Sequence, residues 1–223
     1  MRKWTANKLM IVETRAVPPF FKNGYVLGCE ETRQGVVIDP GDDVHEMLTA
    51  VEHHGLEIRY ILLTHAHLDH ITGVAVARRA LDAPVWLHKD DLFLYDGVVQ
   101  QGMMFGIEVE KQPKPDRFYE NGQTLEFGNY EVAVHHTPGH CPGGVCLAVK
   151  HRRRPEVSLF VGDTLFAGSI GRTDLPGGDA PTLLASIRSV LFSFPDDTPV
   201  YSGHGPVTSV GREKASNPFL RIS

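Results

Sequence analysis

The stretch LLTHAHLDHITG, residues 62–73, concentrates metal-binding side chains directly after a run of apolar residues. Within it, His65, His67, Asp69 and His70 fall into six consecutive positions. A buried core could not hold so many polar groups without partners, and a surface helix would gain little from them. Two histidines spaced by one residue on an extended loop can bind one ion, and the aspartate and histidine that follow can turn towards a second. The stretch therefore predicts a metal site.

The segments around this stretch predict that the histidines follow a buried strand. Residues 57–64, EIRYILLT, form a largely apolar run that is typical of a strand inside a sheet. Residues 71–82, ITGVAVARRALD, predict a helix, and residues 83–88, APVWLH, predict another strand. This alternation places the histidine loop at the carboxyl end of a strand, where α/β sheets bind their ligands.

Three further metal-binding side chains follow predicted strands later in the chain. His140 ends the stretch HHTPGH, Asp163 follows the strand 157–161, and His204 follows the strand 199–201. Each lies in a turn marked by glycine or proline, and Gly162 next to Asp163 would allow close approach of the backbone. One such turn is ordinary, but three of them together with the histidine loop predict a single shared site.

The remaining segments predict two sheets with helices outside them. We expect strands within residues 8–17 and 24–41, helices over 43–55, 89–106 and 179–194, a proline-bearing loop over 111–122, and further strands between 123 and 162. Asp42 or Asp43 is predicted to cap the first of these helices and Asp179 the last. The basic run 150–154 is predicted to be a solvated hairpin turn.

Composition narrows the class of protein. The 223 residues, 42% of them hydrophobic, suffice for one large domain, which we expect to span residues 1–223. A net charge of -5 argues against a nucleic-acid partner, and no segment approaches the ~20 apolar residues of a membrane span. Cys29, Cys141 and Cys146, an odd number without a secretory signal, predict reduced thiols and a cytoplasmic protein.

The sequence also predicts where the cysteines lie, and where the histidines outside the metal-binding motifs lie. Cys29 and Cys146 are predicted to lie in the core, and Cys141, which follows His140, to lie near the site. We expect surface positions for the three histidines of the first helix, which are His45, His53 and His54. We expect no ligand role for His88, His135, His136 and His151, although His136 is the best candidate for a supporting contact.

Together, the motifs THAHLDH, TPGH, GD and GHG resemble those of the metallo-β-lactamase fold superfamily, in its order and approximate spacing. VVIDPG, residues 36–41, resembles the superfamily's first motif. The segments 162–179 and 203–220 are similar to those of small glyoxalase-II-like hydrolases. The resemblance implies an α/β fold, classed as α+β in some schemes, which is a four-layer αββα sandwich with the site at one edge between the sheets.

The resemblance also implies a role for each motif residue. His65, His67 and His140 would hold one divalent ion, and Asp69, His70 and His204 would hold another. Asp163 would bridge the two ions, and a water or hydroxide would form the second bridge and act as the nucleophile. Asp69 and Asp163 would then be the catalytic carboxylates. Asp39 would support the histidine loop from behind. Zinc is the first choice of metal, and iron or manganese are alternatives.

The implied reaction is hydrolysis of a thioester such as S-lactoylglutathione, or of a related ester, by an activated water. Full-length glyoxalase II carries a C-terminal helical domain that helps to bind glutathione, whereas only 19 residues follow His204 here, so we expect no such domain. Arg172 could bind a substrate carboxylate, or it could pair with Asp174 within its own loop.

Other functions remain open at this point. A persulfide dioxygenase would use one iron held by His65, His140 and Asp163. A lactonase or β-lactamase would share the metal chemistry, and a binding module would hold structural metal. The expected partner is a small molecule rather than a nucleic acid or a membrane, and a homo-oligomer is possible. The segment PPFF, residues 18–21, could serve as a subunit contact or as a substrate-side loop.

Overall fold

The structure, a computed structural model, describes residues 10–221 and contains two six-stranded sheets. The first half of the chain contributes β1 (Met10–Arg15), β2 (Gly24–Cys29), β3 (Gln34–Ile38), β4 (Glu57–Leu62), β5 (Val85–Leu87) and β6 (Arg117–Phe118). The second half contributes β7 (Thr124–Phe127), β8 (Tyr130–His136), β9 (Val145–His151), β10 (Val157–Gly162), the hairpin β11 (Leu165–Phe166) and β12 (Ser169–Ile170), and finally β13 (Pro199–Ser202) and β14 (Thr208–Ser209).

The helices alternate with the strands in both halves. They are α1 (Val44–His54), α2 (Leu68–Ile71), α3 (Val74–Leu81), α4 (Leu92–Asp96), α5 (Val98–Phe105), α6 (Ala180–Ser189) and α7 (Val210–Ser216). Short 3-10 turns cover Lys89–Asp91 and Leu191–Ser193.

Strand order in the first sheet follows chain order, β1-β2-β3-β4-β5-β6, whereas the second sheet has the order β14-β13-β10-β9-β8-β7. Strands β3 to β6 run parallel to one another, and in the second sheet β10 and β13 are parallel. Carboxyl ends of parallel neighbours lie at one edge, so each sheet brings several strand-end loops together.

The sheets pack face to face, and each carries helices on its outer face. On β2, Leu27 packs against the second sheet while Val26 faces the layer that contains α1 and α3. On the other side, Leu183 and Ile187 of α6 pack against Val161 of β10. The alternation of side chains along each strand thus builds three apolar layers between four layers of structure. This arrangement confirms the predicted α/β class and the αββα sandwich.

Most local predictions are confirmed, with one correction. The carboxylate of Asp179 caps α6 by accepting from the Thr182 N–H at 2.9 Å, and residues 152–155 form the predicted hairpin turn between β9 and β10. The stretch 89–106 is helical as predicted, but it is divided into a 3-10 turn, α4 and α5, with Gly97 between the two α-helices.

The predicted capping of α1 by an aspartate side chain is wrong. Asp43 occupies the N-cap position, but its carboxylate forms no capping hydrogen bond and instead accepts from Lys22 Nζ at 3.0 Å. Asp42 accepts from the Thr72 hydroxyl at 2.7 Å. Residues 8–9, in the first predicted strand, and the rest of the N-terminal segment lie outside the described residues. Among residues 10–221, no helix has the length and apolar character that a membrane crossing requires.

Candidate metal centre

The histidine loop begins where β4 ends and is held between the two sheets. The N–H of Leu63 donates to the carbonyl of Trp86 at the end of β5, at 3.0 Å. One residue later, the carbonyl of Thr64 accepts from the Val145 N–H at the start of β9, at 2.8 Å. The loop therefore leaves the first sheet in direct contact with the second, which is why residues from both sheets can meet around it.

Three buried histidines form the first cluster of possible ligands. His65 and His67 come from the loop after β4, and His140 comes from the turn between β8 and β9. One ring nitrogen of each lies within 4.8 Å of the others. The closest approach, 2.8 Å, is between Nδ1 of His67 and Nε2 of His140.

The second cluster combines Asp69, His70 and His204. One ligand atom of each lies within 4.8 Å of the others. Nε2 of His204 is 3.1 Å from Oδ2 of Asp69, and Nε2 of His70 is 3.7 Å from the same oxygen. His70 is fully buried, while His204 retains partial exposure, so this side of the centre faces solvent.

The carboxylate of Asp163 lies between the two clusters. Its Oδ1 is 3.3 Å from Nε2 of His70, and its Oδ2 is 3.7 Å from Nε2 of His140 and 3.6 Å from Nε2 of His204. Gly162, with a positive φ of 50°, allows this approach: a Cβ there would lie 2.8 Å from the Cβ of Thr64. The predicted position of Asp163 between the two groups is the geometry that a bridging ligand requires.

Unpaired polar atoms show that these side chains suit a cation. Within residues 10–221, six buried side-chain polar atoms lack a hydrogen-bond partner, and four belong to this centre. These four are Nε2 of His65, His67 and His70, and Oδ1 of Asp163. Leaving such atoms unpaired in a protein interior is costly. Imidazole nitrogens and carboxylate oxygens are ligands of zinc and iron, so divalent ions fit the donor set.

Hydrogen bonds on the far side of the rings orient the possible ligands. Nδ1 of His140 donates to the carbonyl of Arg172 at 2.7 Å, and Nδ1 of His70 donates to Oδ2 of Asp39 at 2.9 Å. Both bonds direct Nε2 towards the cluster. Asp39 also accepts from the N–H and the hydroxyl of Thr64, at 2.7 and 2.6 Å, so one carboxylate holds both ends of the histidine loop.

Burial and neighbouring charge divide the histidines into two kinds. Burial, reinforced by His140 and His70, lowers the pKa of His67 to about 3 and holds the pKa of His65 well below its usual value. Burial also opposes a charge on His70, but the carboxylates of Asp69, Asp163 and Asp39 raise its pKa to about 10. His65 and His67 are therefore neutral and ready to bind a cation at neutral pH, whereas His70 must first give up a proton.

Two residues that the sequence did not indicate hold the second cluster in place. Lys22 donates to the carbonyl of Asp39 and forms a buried ion pair with Asp43, at 3.0 Å. Asn23 donates through Nδ2 to the carbonyls of Ser202 and Gly205, at 3.0 and 2.8 Å, on either side of His204. No local pattern signals these roles, because the partners of Asn23 lie about 180 positions away in the sequence.

Arg172 pairs within its own loop, as one of its two predicted roles required. Its guanidinium forms two hydrogen bonds of 2.7 Å with the carboxylate of Asp174, and both side chains are exposed. Its backbone carbonyl is the group that orients His140. The contact of Arg172 with a substrate carboxylate stays a prediction.

The three cysteines are free and buried. Cys29 and Cys146 belong to the apolar core, which confirms their predicted environment. Cys141 lies next to His140, and its thiol donates to the buried carboxylate of Asp91 at 3.1 Å. Of the other histidines, His45 and His53 are exposed and His54 is half-buried.

A further group of His88, Asp90 and His136 does not have metal-site geometry. The imidazole rings of His88 and His136 stack with centroids 4.1 Å apart and planes inclined by 12°. The lone pair of an imidazole nitrogen lies in the plane of its ring, and because these two planes are nearly parallel and separated, one ion cannot lie in both. His136 instead donates through Nε2 to the carbonyl of Pro142 at 2.8 Å, so it supports the loop that carries His140.

Comparison with known proteins relates this geometry to one family. The family profile described as the Metallo-beta-lactamase superfamily matches residues 17–204. The hydroxyacylglutathione hydrolase GloC of Haemophilus influenzae is 34% identical over 213 residues, which span 95% of this chain and 98% of GloC.

Solved structures give the same relationship. The B3 metallo-beta-lactamase BLEG-1 superimposes with a TM-score of 0.84 at 37% identity, covering 94% of this chain and 99% of BLEG-1. TTHA1623, solved in a di-iron-bound form, has a TM-score of 0.82 at 42% identity, with coverage of 94% and 100%. ETHE1 from Myxococcus xanthus has a TM-score of 0.74 at 29% identity, with coverage of 93% and 83%.

Proposed function

Because this chain belongs to the metallo-beta-lactamase superfamily, we propose that it is a binuclear metal-dependent hydrolase that cleaves thioesters. Membership of this superfamily indicates a metal-dependent hydrolase. The number of ions, the thioester substrate and the ligand role of each residue are the parts that we add.

The observation that supports two ions best is the position of Asp163. Its Oδ2 faces both clusters, towards His140 of the first and His204 of the second, and its Oδ1 faces His70 of the second. We assign His65, His67 and His140 to one ion, and Asp69, His70 and His204 to the other. The di-iron form of TTHA1623 supports the same number in a relative that is 42% identical. Zinc remains the first choice here, with iron or manganese as alternatives.

The residues of the chain would prepare the centre for hydrolysis by fixing ligands and protons. When bound, divalent ions lower the proton affinity of water and polarise a carbonyl group. Asp39 and the carbonyl of Arg172 keep a proton on Nδ1 of His70 and His140, so that Nε2 of each stays directed at the centre. A thiolate leaves readily, so little proton donation to the leaving group is required.

Apolar side chains beside the second cluster support a substrate with an organic tail. Phe166 approaches the ring of His204 edge-on, with centroids 6.0 Å apart. Phe20 and Phe105 also pack edge-on, at 6.2 Å, and Phe20 borders a small cavity together with Asp69. The substrate-side role for the segment 18–21 stays a prediction. The 34% identity to a hydroxyacylglutathione hydrolase supports a thioester of glutathione or of a similar thiol as substrate.

Two alternatives share the same residues. A persulfide dioxygenase would use His65, His140 and Asp163 around one iron, and the likeness to ETHE1 supports testing it. The intact second cluster of Asp69, His70 and His204 favours two ions over one. A lactonase or β-lactamase would differ in substrate alone, and the likeness to BLEG-1 justifies including a β-lactam among the substrates tested.

We propose a cytoplasmic location, which the three free cysteines support.

The test is a direct assay of the purified, metal-loaded protein with S-lactoylglutathione. We expect release of the thiol, loss of turnover and of bound metal in His65→Ala and Asp163→Ala, and unchanged behaviour in His45→Ala, whose ring is exposed on α1. Full turnover in His65→Ala would refute the assignment. Oxygen uptake with glutathione persulfide, without thioester cleavage, would favour the dioxygenase instead.

A further inference from the structure

Asp91 is a fully buried carboxylate outside every motif discussed above. It lies at the end of the 3-10 turn before α4, within the segment that the sequence predicted to be helical. Its side chain accepts three hydrogen bonds: from the Ala66 N–H at 3.0 Å, from the Cys141 thiol at 3.1 Å and from the Gly143 N–H at 2.6 Å. A carboxylate so enclosed needs such donors to stay charged.

The three donors come from the two loops that carry the first histidine cluster. Ala66 lies between His65 and His67 on the loop after β4. Cys141 directly follows His140, and Gly143 follows two residues later, in the turn between β8 and β9. One carboxylate therefore connects a loop of the first sheet to a loop of the second, at the point where their histidines converge.

The packing around Asp91 leaves little freedom for these loops to move apart. A Cβ on Gly143 would lie 2.7 Å from Cγ of Asp91, so glycine is needed for this close approach. Oδ2 accepts from Ala66 of one loop and from Cys141 of the other, while Oδ1 accepts from Gly143, so a single oxygen joins the two loops and the second oxygen adds a further bond. Burial raises the pKa of Asp91, which the three hydrogen bonds oppose.

We propose that Asp91 is a positioning residue of the first metal site, which fixes His65 and His67 relative to His140 by holding both of their loops. The inference rests on the proposed metal centre. It predicts that Asp91 acts on metal affinity without contacting the ion, as residues behind metal ligands commonly do.

Substitution by asparagine separates this role from simple packing. Asn has the shape of Asp but a single acceptor oxygen, so in either orientation its amide group faces one of the two backbone N–H groups that now donate to the carboxylate, that of Ala66 or that of Gly143. Glu213→Gln is the matched control. Glu213 is also fully buried and accepts three hydrogen bonds, from Gly168, Thr208 and Asn217, but it touches neither histidine loop.

The experiment measures the affinity of each folded protein for Zn²⁺ by competition with a chromophoric chelator, with folding checked by near-ultraviolet circular dichroism. We expect Asp91→Asn to weaken binding of the more tightly held ion about 10- to 100-fold, and Glu213→Gln to leave it within about twofold. The absorption spectrum of the Co²⁺-loaded protein should change in Asp91→Asn and not in the control.

Folded Asp91→Asn with the affinity and spectrum of the wild type would overturn the proposal, as would an equal loss in Glu213→Gln. If Asp91→Asn does not fold, Cys141→Ala takes its place, since it removes one donor and keeps the carboxylate. We expect a smaller loss there, at least about threefold, and unchanged affinity would overturn the proposal. A wild-type protein that binds no Zn²⁺ would overturn the metal centre itself, which distinguishes the two failures.

Discussion

At the scale of single residues, several of the seven possible ligands are held by groups behind them that orient their rings. The seven side chains stand in short motifs at strand ends, and local sequence reveals them. The groups that orient them, such as the carbonyl of Arg172 behind His140 or the amide of Asn23 beside His204, depend on contacts between distant segments. Asp39 is the exception, because it lies in a motif of its own and meets His70 as the resemblance implied.

Removing the acceptor behind His70 should weaken the second metal site. In Asp39→Asn, one of the three donors that now face the carboxylate, from His70 and Thr64, must lose its acceptor. We expect the more weakly held Zn²⁺ to bind about 10- to 100-fold less tightly, measured by chelator competition. Asp42→Asn is the control, since Asp42 accepts only from the Thr72 hydroxyl. Equal affinities in the two variants would contradict the role of Asp39.

The charge on His70 should make the metal-free protein sensitive to alkaline pH. Because its carboxylate neighbours raise the pKa from 6.5 to about 10 in the folded state, the protonated ring stabilises folding fully below pH 6.5. That stabilisation is lost as the pH rises towards 10. We expect Tm of the chelator-treated wild type to fall more between pH 7 and 10 than Tm of His70→Gln, measured by circular dichroism. Parallel curves for the two proteins would contradict this.

At the scale of elements, the strand ends carry the site, and glycines there allow the backbones to approach. A Cβ on Gly203, directly after β13, would collide with Oδ1 of Asp163 and lie 2.7 Å from Cε1 of His70. At Gly205, with a φ of 78°, no atom of residues 10–221 beyond its chain neighbours lies within 4 Å of an added Cβ. The two glycines flank His204, but only at Gly203 would an added Cβ meet side chains of the metal centre.

Alanine at these two glycines should therefore have different effects. We expect Gly203→Ala to lose most bound metal, because the new methyl group displaces Asp163 and His70. Gly205→Ala should keep its metal and lose only about 1 kcal/mol of stability, through the positive φ. Elemental analysis and urea unfolding measure the two effects. Normal metal content in Gly203→Ala would contradict the packing described here.

The boundaries of helices were predictable where capping is local. Asp179 caps α6 as predicted, because its acceptor and the Thr182 N–H are three residues apart. Asp43 does not cap α1, because Lys22, 21 residues earlier, takes its carboxylate. The change from the 3-10 turn to α4 at Asp91 was not predictable either, since the hydrogen-bond partners of the Asp91 side chain lie on two distant loops. Tertiary contacts thus override the local signals.

The backbone N–H of Asp179 donates to the carbonyl of Gly139, next to His140, but its side chain only caps α6, so loss of that side chain should affect stability alone. In Asp179→Ala, the hydrogen bond to the Thr182 N–H is lost, and we expect the free energy of unfolding to fall by about 1 kcal/mol. Urea denaturation measures this change, and Zn²⁺ content should stay at the wild-type level. Loss of metal in this variant would show that α6 influences the centre more than its contacts suggest.

At the scale of the whole molecule, the sequence predicted the layers but not the strand order. Periodicity and turn residues indicate strands and helices, and their alternation indicates sheets covered by helices. They do not reveal that β13, late in the chain, inserts beside β10 in parallel. That pairing brings His204 next to Asp163, so the second cluster exists only in the complete sandwich.

The most direct test of the account is the metal content of the purified protein. Six side chains arranged in two clusters around Asp163 require about two divalent ions per chain. Elemental analysis after exhaustive desalting, on protein expressed with zinc and iron available, should find that number. A folded protein that retains no metal would contradict the binuclear centre. So would a protein that retains about one ion per chain and keeps that ion when Asp69, His70 and His204 are substituted.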